Sequence, residues 1–126
     1  MKYVLDTTVL IDHVKGRPAA LAVVDELFSQ PNDLLICDVV VAEALAGGQA
    51  DQLRAIEAML DAVEYVSTPP EAARWAGESR RRLDGTSPRR LGDAIIAGVA
   101  WFVGATVVTR NPVDFEVQGV PVLAYE

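Results

Sequence analysis

The chain opens on a short β-prone apolar run, Tyr3-Val4-Leu5, that stops at Asp6. Two threonines follow, then the apolar Val9-Leu10-Ile11 and the polar Asp12-His13. Asp and Thr cap helices by accepting from the free N–H groups of the first turn. This stretch therefore predicts a strand, an acidic turn capped at Asp6 or Thr7, and a short helix ending near Gly16 and Pro18. Leu21, Val24, Leu27 and Phe28 recur at helical spacing and predict a second helix over 19–29. Leu34-Leu35-Ile36-Cys37 is an uninterrupted apolar run, as a strand covered on both faces requires. Asp38 then caps a helix over 39–45 that Gly47-Gly48 closes. Leu53, Ile56, Met59, Leu60 and Val63 make the stripe of a helix from about 51 to 62, and Tyr65-Val66-Ser67 reads as a third strand. Pro69-Pro70-Glu71 opens a helix reaching about Leu83, since proline suits the first turn. Residues 84–88 form the clearest loop. A long apolar helix follows over about 93–103, then a strand at 106–108 and a fifth, edge strand at 121–123, marked as an edge by Pro121. Strands alternating with helices predict an α/β fold: three layers, α/β/α, around a mostly parallel sheet of four to five strands.

Composition narrows this picture. A chain of 126 residues with 51% apolar side chains and 23% charged ones holds one core and is not disordered, which predicts a single domain. One cysteine excludes an internal disulfide and a cysteine-built zinc site. The longest nearly apolar run, 94–108, is too short for a membrane span and is broken by Gly98 and Gly104. No signal-like segment opens the chain, so the expected location is the cytoplasm. The net charge of −7 argues against a protein that lives on phosphate contacts alone. Any nucleic-acid chemistry needs a local reversal of that charge, through a metal ion or a basic patch.

Ligands of open α/β sheets gather at the carboxyl ends of the strands. Asp6 follows the first strand directly, and Thr109, Arg110, Asn111 and Asp114 follow the fourth. Two further acids interrupt apolar helical stretches. Glu43 stands alone in Val39-Val40-Val41-Ala42-Glu43-Ala44-Leu45, and Asp93 opens the most hydrophobic helix. A cap would explain Asp93 without any function. Glu43 has a weaker structural explanation, because charged side chains are rarely buried unpaired. Oxygen donors without His or Cys suit Mg²⁺, with Mn²⁺ able to substitute. Such an ion would offset the repulsion among the carboxylates and present positive charge to a phosphate.

The arrangement resembles the PIN-domain ribonucleases, and more closely the VapC toxins of bacterial toxin–antitoxin pairs. The residues that carry the resemblance are Val4-Leu5-Asp6-Thr7-Thr8-Val9-Leu10-Ile11-Asp12 and Val41-Ala42-Glu43. Leu91-Gly92-Asp93-Ala94-Ile95-Ile96-Ala97 and Val108-Thr109-Arg110-Asn111-Pro112-Val113-Asp114-Phe115 complete the set. Order, spacing and length fit over the whole chain. The resemblance implies metal-dependent cleavage of RNA, with Asp6, Glu43 and Asp93 as the acidic catalytic and metal-site residues. Asp114 is the choice for the fourth position, and Asn111 sits where many relatives outside the toxins carry an acid. Thr8 adds a hydroxyl beside the site, with Thr109 as a further polar neighbour. A cognate antitoxin with a basic tail, a toxin homodimer, and a heterotetramer or larger assembly with antitoxin are implied as well.

Arg80, Arg81, Arg82, Arg89 and Arg90 gather five of the eleven basic residues. A solvated helix end explains the first three equally well. Arg89 and Arg90, beside Asp93, and Arg110 are the expected RNA contacts. Trp101, inside the apolar helix, reads as core, whereas Trp75 is more open. Cys37 ends a buried strand and reads as inert, and His13 as a surface residue. Two other functions compete with the nuclease. One is a small phosphatase of the haloacid-dehalogenase type, which would want a second Asp at Thr8. The other is a non-catalytic PIN-fold module that grips RNA or a partner.

Overall fold

The computed structural model describes residues 1–83 and 90–126. The loop expected at 84–88, and Arg89 with it, lie outside the described residues. The first strand, β1 (Lys2–Leu5), leads through α1 (Thr7–Val14) and α2 (Pro18–Phe28) to β2 (Asp33–Cys37). Next come α3 (Asp38–Gly47), a single 3₁₀ turn at Ala50–Gln52, α4 (Leu53–Asp61) and β3 (Glu64–Val66). The chain then runs through α5 (Pro70–Arg82), α6 (Leu91–Val103), β4 (Thr106–Thr109), α7 (Pro112–Glu116) and β5 (Val122–Ala124).

The five strands form one sheet in the order β3-β2-β1-β4-β5, parallel throughout. β1 is the centre, with Val4 opposite Leu35 of β2 and opposite Val107 of β4. Both of its last two residues, Val4 and Leu5, are fully buried, which a strand covered on both faces demands. Chain order runs β1-β2-β3 to one side and then returns to β4 on the other. Right-handed crossovers in both directions place α1–α4 on one face and α5–α7 on the other. The three-layer expectation is met, and the sheet is wholly rather than mostly parallel. Ile36, Val107 and Val108 of the strands pack with Val9, Leu10, Val40, Ile56, Ile96 and Val99 of the helices. Each such burial contributes about 1.5–3 kcal/mol.

Several boundaries differ from the sequence expectation, each for a local reason. α6 starts two residues early, at Leu91 with Arg90 in the cap position, so Asp93 lies inside the first turn and is not the cap. Asp38 is the first residue of α3, its side chain accepting from the Val39 N–H at 3.0 Å. Gln49 and Gln52 cap each other around the 3₁₀ turn, which delays α4 to Leu53. α7 was not expected, because five residues are too few to show a period; Pro112 opens it. Trp101 is not core. It is 49% exposed and stacks on Trp75, ring centres 5.8 Å apart and planes 15° apart. Gly98 explains why the two rings can meet: a Cβ there would stand 2.5 Å from the Ala72 carbonyl oxygen, so α5 and α6 approach backbone to backbone. Cys37 is fully buried, and burial pushes its thiol up to about 11, as an inert cysteine requires. No helix of the described residues is long and apolar enough to cross a membrane.

Candidate functional site

The strand order reverses between β1 and β4, and their carboxyl ends are where a ligand of this topology belongs. Asp6 leaves β1 there. Its N–H still bonds the Val108 carbonyl at 3.0 Å, which fixes its backbone to β4. Its side chain caps α1, accepting from the Thr7 N–H at 2.8 Å. The other carboxylate oxygen accepts from the Thr8 hydroxyl at 2.9 Å and the Thr109 hydroxyl at 2.8 Å. The loop after β4 completes the cradle. Asn111 N–H donates to Thr109 Oγ1 at 2.9 Å and Arg110 N–H to Thr8 Oγ1 at 3.4 Å. Burial pushes the Asp6 carboxyl above its ordinary range, the three donors pull it back, and the Glu43 charge adds to the rise.

Glu43 reaches the same place from α3. Thr7 Oγ1 donates to its Oε1 at 2.6 Å. Its Oε2 lies where a Cβ on Gly92 would stand only 2.7 Å away, so the carboxylate rests against the bare backbone of α6. At the next residue of α6, half-buried Asp93 has its carboxyl pushed up to about 6. Burial is the largest cause, repulsion from Asp6, Asp114 and Glu43 comes next, and Arg90 pulls the other way. Asp114 comes from the first turn of α7.

Asp6, Glu43, Asp93 and Asp114 line a single cavity of about 670 Å³, together with Thr7, Thr8, Arg90, Arg110 and Asn111. Every described residue expected at the site is thus on or beside its wall. Thr109, fully buried, stands behind Asp6. Arg89 lies outside the described residues. The carboxylates are close enough to repel one another, yet among the described residues no three His, Cys, Asp or Glu side chains stand close enough to hold one ion as a group. They share a cavity, not a ready-made coordination sphere. Their chemistry fits a hard cation: oxygen donors only, with the Asp93 carboxyl pushed up to about 6 first by burial and then by the charges of its neighbours.

Sequence reasoning missed three contributors. Thr7 is one of two adjacent threonines, and neighbours on a helix point about 100° apart, so one hydroxyl serves Asp6 and the other Glu43. That pairing was readable in principle. Gly92 gave a weaker signal, a glycine in the opening turn of an otherwise strong helix. The third is Asp12, which the sequence shows as the polar end of a short helix and of the first run that carries the resemblance, with no role at the site. It is buried and bonded to three residues, Arg17, Arg110 and Tyr125.

The family described as PIN domain matches residues 3–117. Ribonuclease VapC19 of Mycobacterium tuberculosis is 34% identical over 109 residues, covering 85% of this chain and 86% of that protein. The tRNA(fMet)-specific endonuclease VapC of Shigella flexneri is 30% identical over 127 aligned positions, covering 94% and 93%. Among solved structures, a toxin–antitoxin complex from Klebsiella pneumoniae superposes with a TM-score of 0.77 at 25% identity, covering 97% of this chain and 96% of that one.

Proposed function

The chain belongs to the PIN-domain family, and from that membership we propose that it is a divalent-metal-dependent endoribonuclease, the toxin of a toxin–antitoxin pair. The observation that carries the reading is the meeting of four carboxylates, from four separate segments, in one cavity at the β1–β4 reversal. Asp6, Glu43, Asp93 and Asp114 are the residues that would hold Mg²⁺, with Mn²⁺ as a substitute. When bound, such an ion polarises a phosphoryl oxygen and lowers the pKa of water. Hydrolysis adds the water oxygen to phosphorus while the bond to one ester oxygen breaks, and that oxygen leaves with a proton.

The chain's own side chains do the rest. Three hydrogen bonds hold Asp6 in one orientation. Thr7 fixes the Glu43 carboxylate from one side and the Gly92 backbone bounds it on the other. Arg90 and Arg110, on the cavity wall, supply the positive charge that an acidic protein must offer a phosphate chain. The same carboxylates suit a basic antitoxin tail, because an arginine fork pairs with a carboxylate through two parallel bonds. On this reading the protein works in the cytoplasm as a single domain, forms a homodimer, and assembles with its antitoxin into a heterotetramer or larger complex.

One observation favours a second reading, a non-catalytic binding module: no three of the described acids gather tightly enough to hold an ion. The experiment that separates the two is cleavage of total RNA by the protein in Mg²⁺ and in EDTA, alongside Asp6→Asn and Asp93→Asn. Loss of a group on which the metal depends lowers activity by about 10- to 100-fold. Cleavage in Mg²⁺, none in EDTA, and that loss in each folded variant is the expected result. Full activity in either variant, or none in the wild type, overturns the nuclease and leaves the module.

A further inference from the structure

Behind the cavity wall lies a polar cluster that the acidic site does not use. The side chain of Asp12, on α1, is only 3% exposed. Its Oδ1 accepts from Arg110 Nη1 at 3.0 Å and from Arg17 Nη1 at 3.5 Å, and its Oδ2 from the Tyr125 hydroxyl at 2.8 Å. A buried carboxylate bonded by two guanidinium groups and a phenol is an expensive feature. An apolar replacement of the same volume often leaves a protein as stable or more so. Stability is therefore a poor reason for it, and its location suggests a better one.

Arg110 is the only one of these partners that lines the acidic cavity. It follows β4 directly, its backbone N–H is tied to Thr8, and its side chain remains 37% exposed. A long cation next to four carboxylates would ordinarily fold onto them, neutralising the charge that a metal needs. Asp12 holds it by one nitrogen from behind. Arg90 has no such tether among the described residues: it is exposed, precedes α6, and acts on Asp93 through charge. We propose that Asp12 is a positioning residue that fixes the Arg110 guanidinium at the rim of the cavity, off the acidic cluster, where its free N–H groups grip a phosphate of the RNA strand. Tyr125 holds the second Asp12 oxygen and keeps the carboxylate turned toward Arg110. A planar fork pre-set in this way loses little freedom when it binds a phosphate. The inference rests on the nuclease reading for the identity of the ligand as RNA.

The test measures binding of a short single-stranded oligoribonucleotide by filter retention, on ice in Mg²⁺, over a series of salt concentrations. It uses the wild type, Asp12→Asn, Arg110→Gln, the double variant and Arg110→Lys. Removing an acid near an anionic ligand would by simple charge tighten binding. The proposal demands the opposite. Asp12→Asn weakens binding about 10-fold and lowers the slope of log K against log salt by about 0.7, the loss of one phosphate contact on a single strand. Arg110→Gln does the same, and the double variant is no worse than either alone. Arg110→Lys, which keeps the charge but not the fork, also weakens binding and carries the test if Asp12→Asn fails to fold. A folded Asp12→Asn with the wild-type salt slope, or an Arg110→Lys with wild-type affinity, overturns the inference. The readout does not depend on cleavage. A wild type that binds but does not cut sinks the nuclease reading alone, and a wild type that does not bind sinks both.

Discussion

Gly92 separates activity from stability at a single atom. Its hydrogen faces the Glu43 carboxylate, and a methyl there would stand 2.7 Å from Oε2. Alanine favours a helix over glycine by roughly 0.5–1 kcal/mol, and the displaced group is the free end of a flexible side chain. Gly92→Ala is therefore expected to keep or raise the melting temperature while cutting RNA cleavage about 10-fold or more. A variant that melts early, or cleaves normally, contradicts that account. Asp93 makes a pH-dependent case. Its carboxyl is raised from an ordinary 3.8 to about 6, so the native state keeps a proton that the unfolded chain gives up. The stability this contributes is complete below the unfolded value and lost as pH rises through about 6. In EDTA at about pH 7.5 the ionised group opposes folding, and Asp93→Asn should raise the melting temperature by roughly 3 °C, with the gain shrinking as pH falls below about 6. An equal gain at both ends of that range would contradict the sign. Asp6, Glu43, Asp93 and Asp114 were all legible in the sequence, because an acid after a strand or amid apolar residues is conspicuous. Thr7, Gly92 and Asp12 were not singled out, because their effect depends on which oxygen each one meets.

At the scale of elements, α5 and α6 show what a period can and cannot reveal. The apolar run at 94–108 predicted a buried helix and strand, and Ala94, Ile96, Ala97, Val99 and Ala100 are indeed buried. Yet Gly98, which looked like an interruption, is the point where α6 touches the α5 backbone at Ala72. A methyl there meets a carbonyl oxygen that cannot swing aside. Gly98→Ala should lower stability by about 1–3 kcal/mol despite its better helix propensity, read as a lower urea midpoint at unchanged m-value. A midpoint at or above the wild type would show that the helices can part freely. Trp101 was misread for the same reason: apolar neighbours in sequence fix a helix but not which side of it faces its partner. The start of α6 was missed because Leu91 and Gly92 carry no capping signal. α7 was missed because one helical turn has no period to read.

For the molecule as a whole, the strand order decides where the chemistry can be. Both sides of the sheet were legible from alternating strands and helices, as was the gathering of acids at one edge. The order itself was not, since nothing in the sequence says that β4 returns to the far side of β1. That return brings Asp6 to Thr109 and, with net charge −7, concentrates like charge in one cavity. A cation bound there should stabilise the native state by mass action, about 2.7 kcal/mol at a concentration 100 times its Kd. Mg²⁺ is expected to raise the melting temperature of the wild type and not of Asp6→Asn; equal shifts in both would place the ion elsewhere. Because β1 is the central strand and one of its two neighbours is β4, a nascent chain cannot finish the cleft while β4 is still unmade. A polypeptide released between residues 93 and 108 would hold Asp6, Glu43 and Asp93 but no Thr109, Arg110 or Asp114. Without Thr109 to hold Asp6 and Asp114 to complete the wall, such fragments are expected to cleave no RNA.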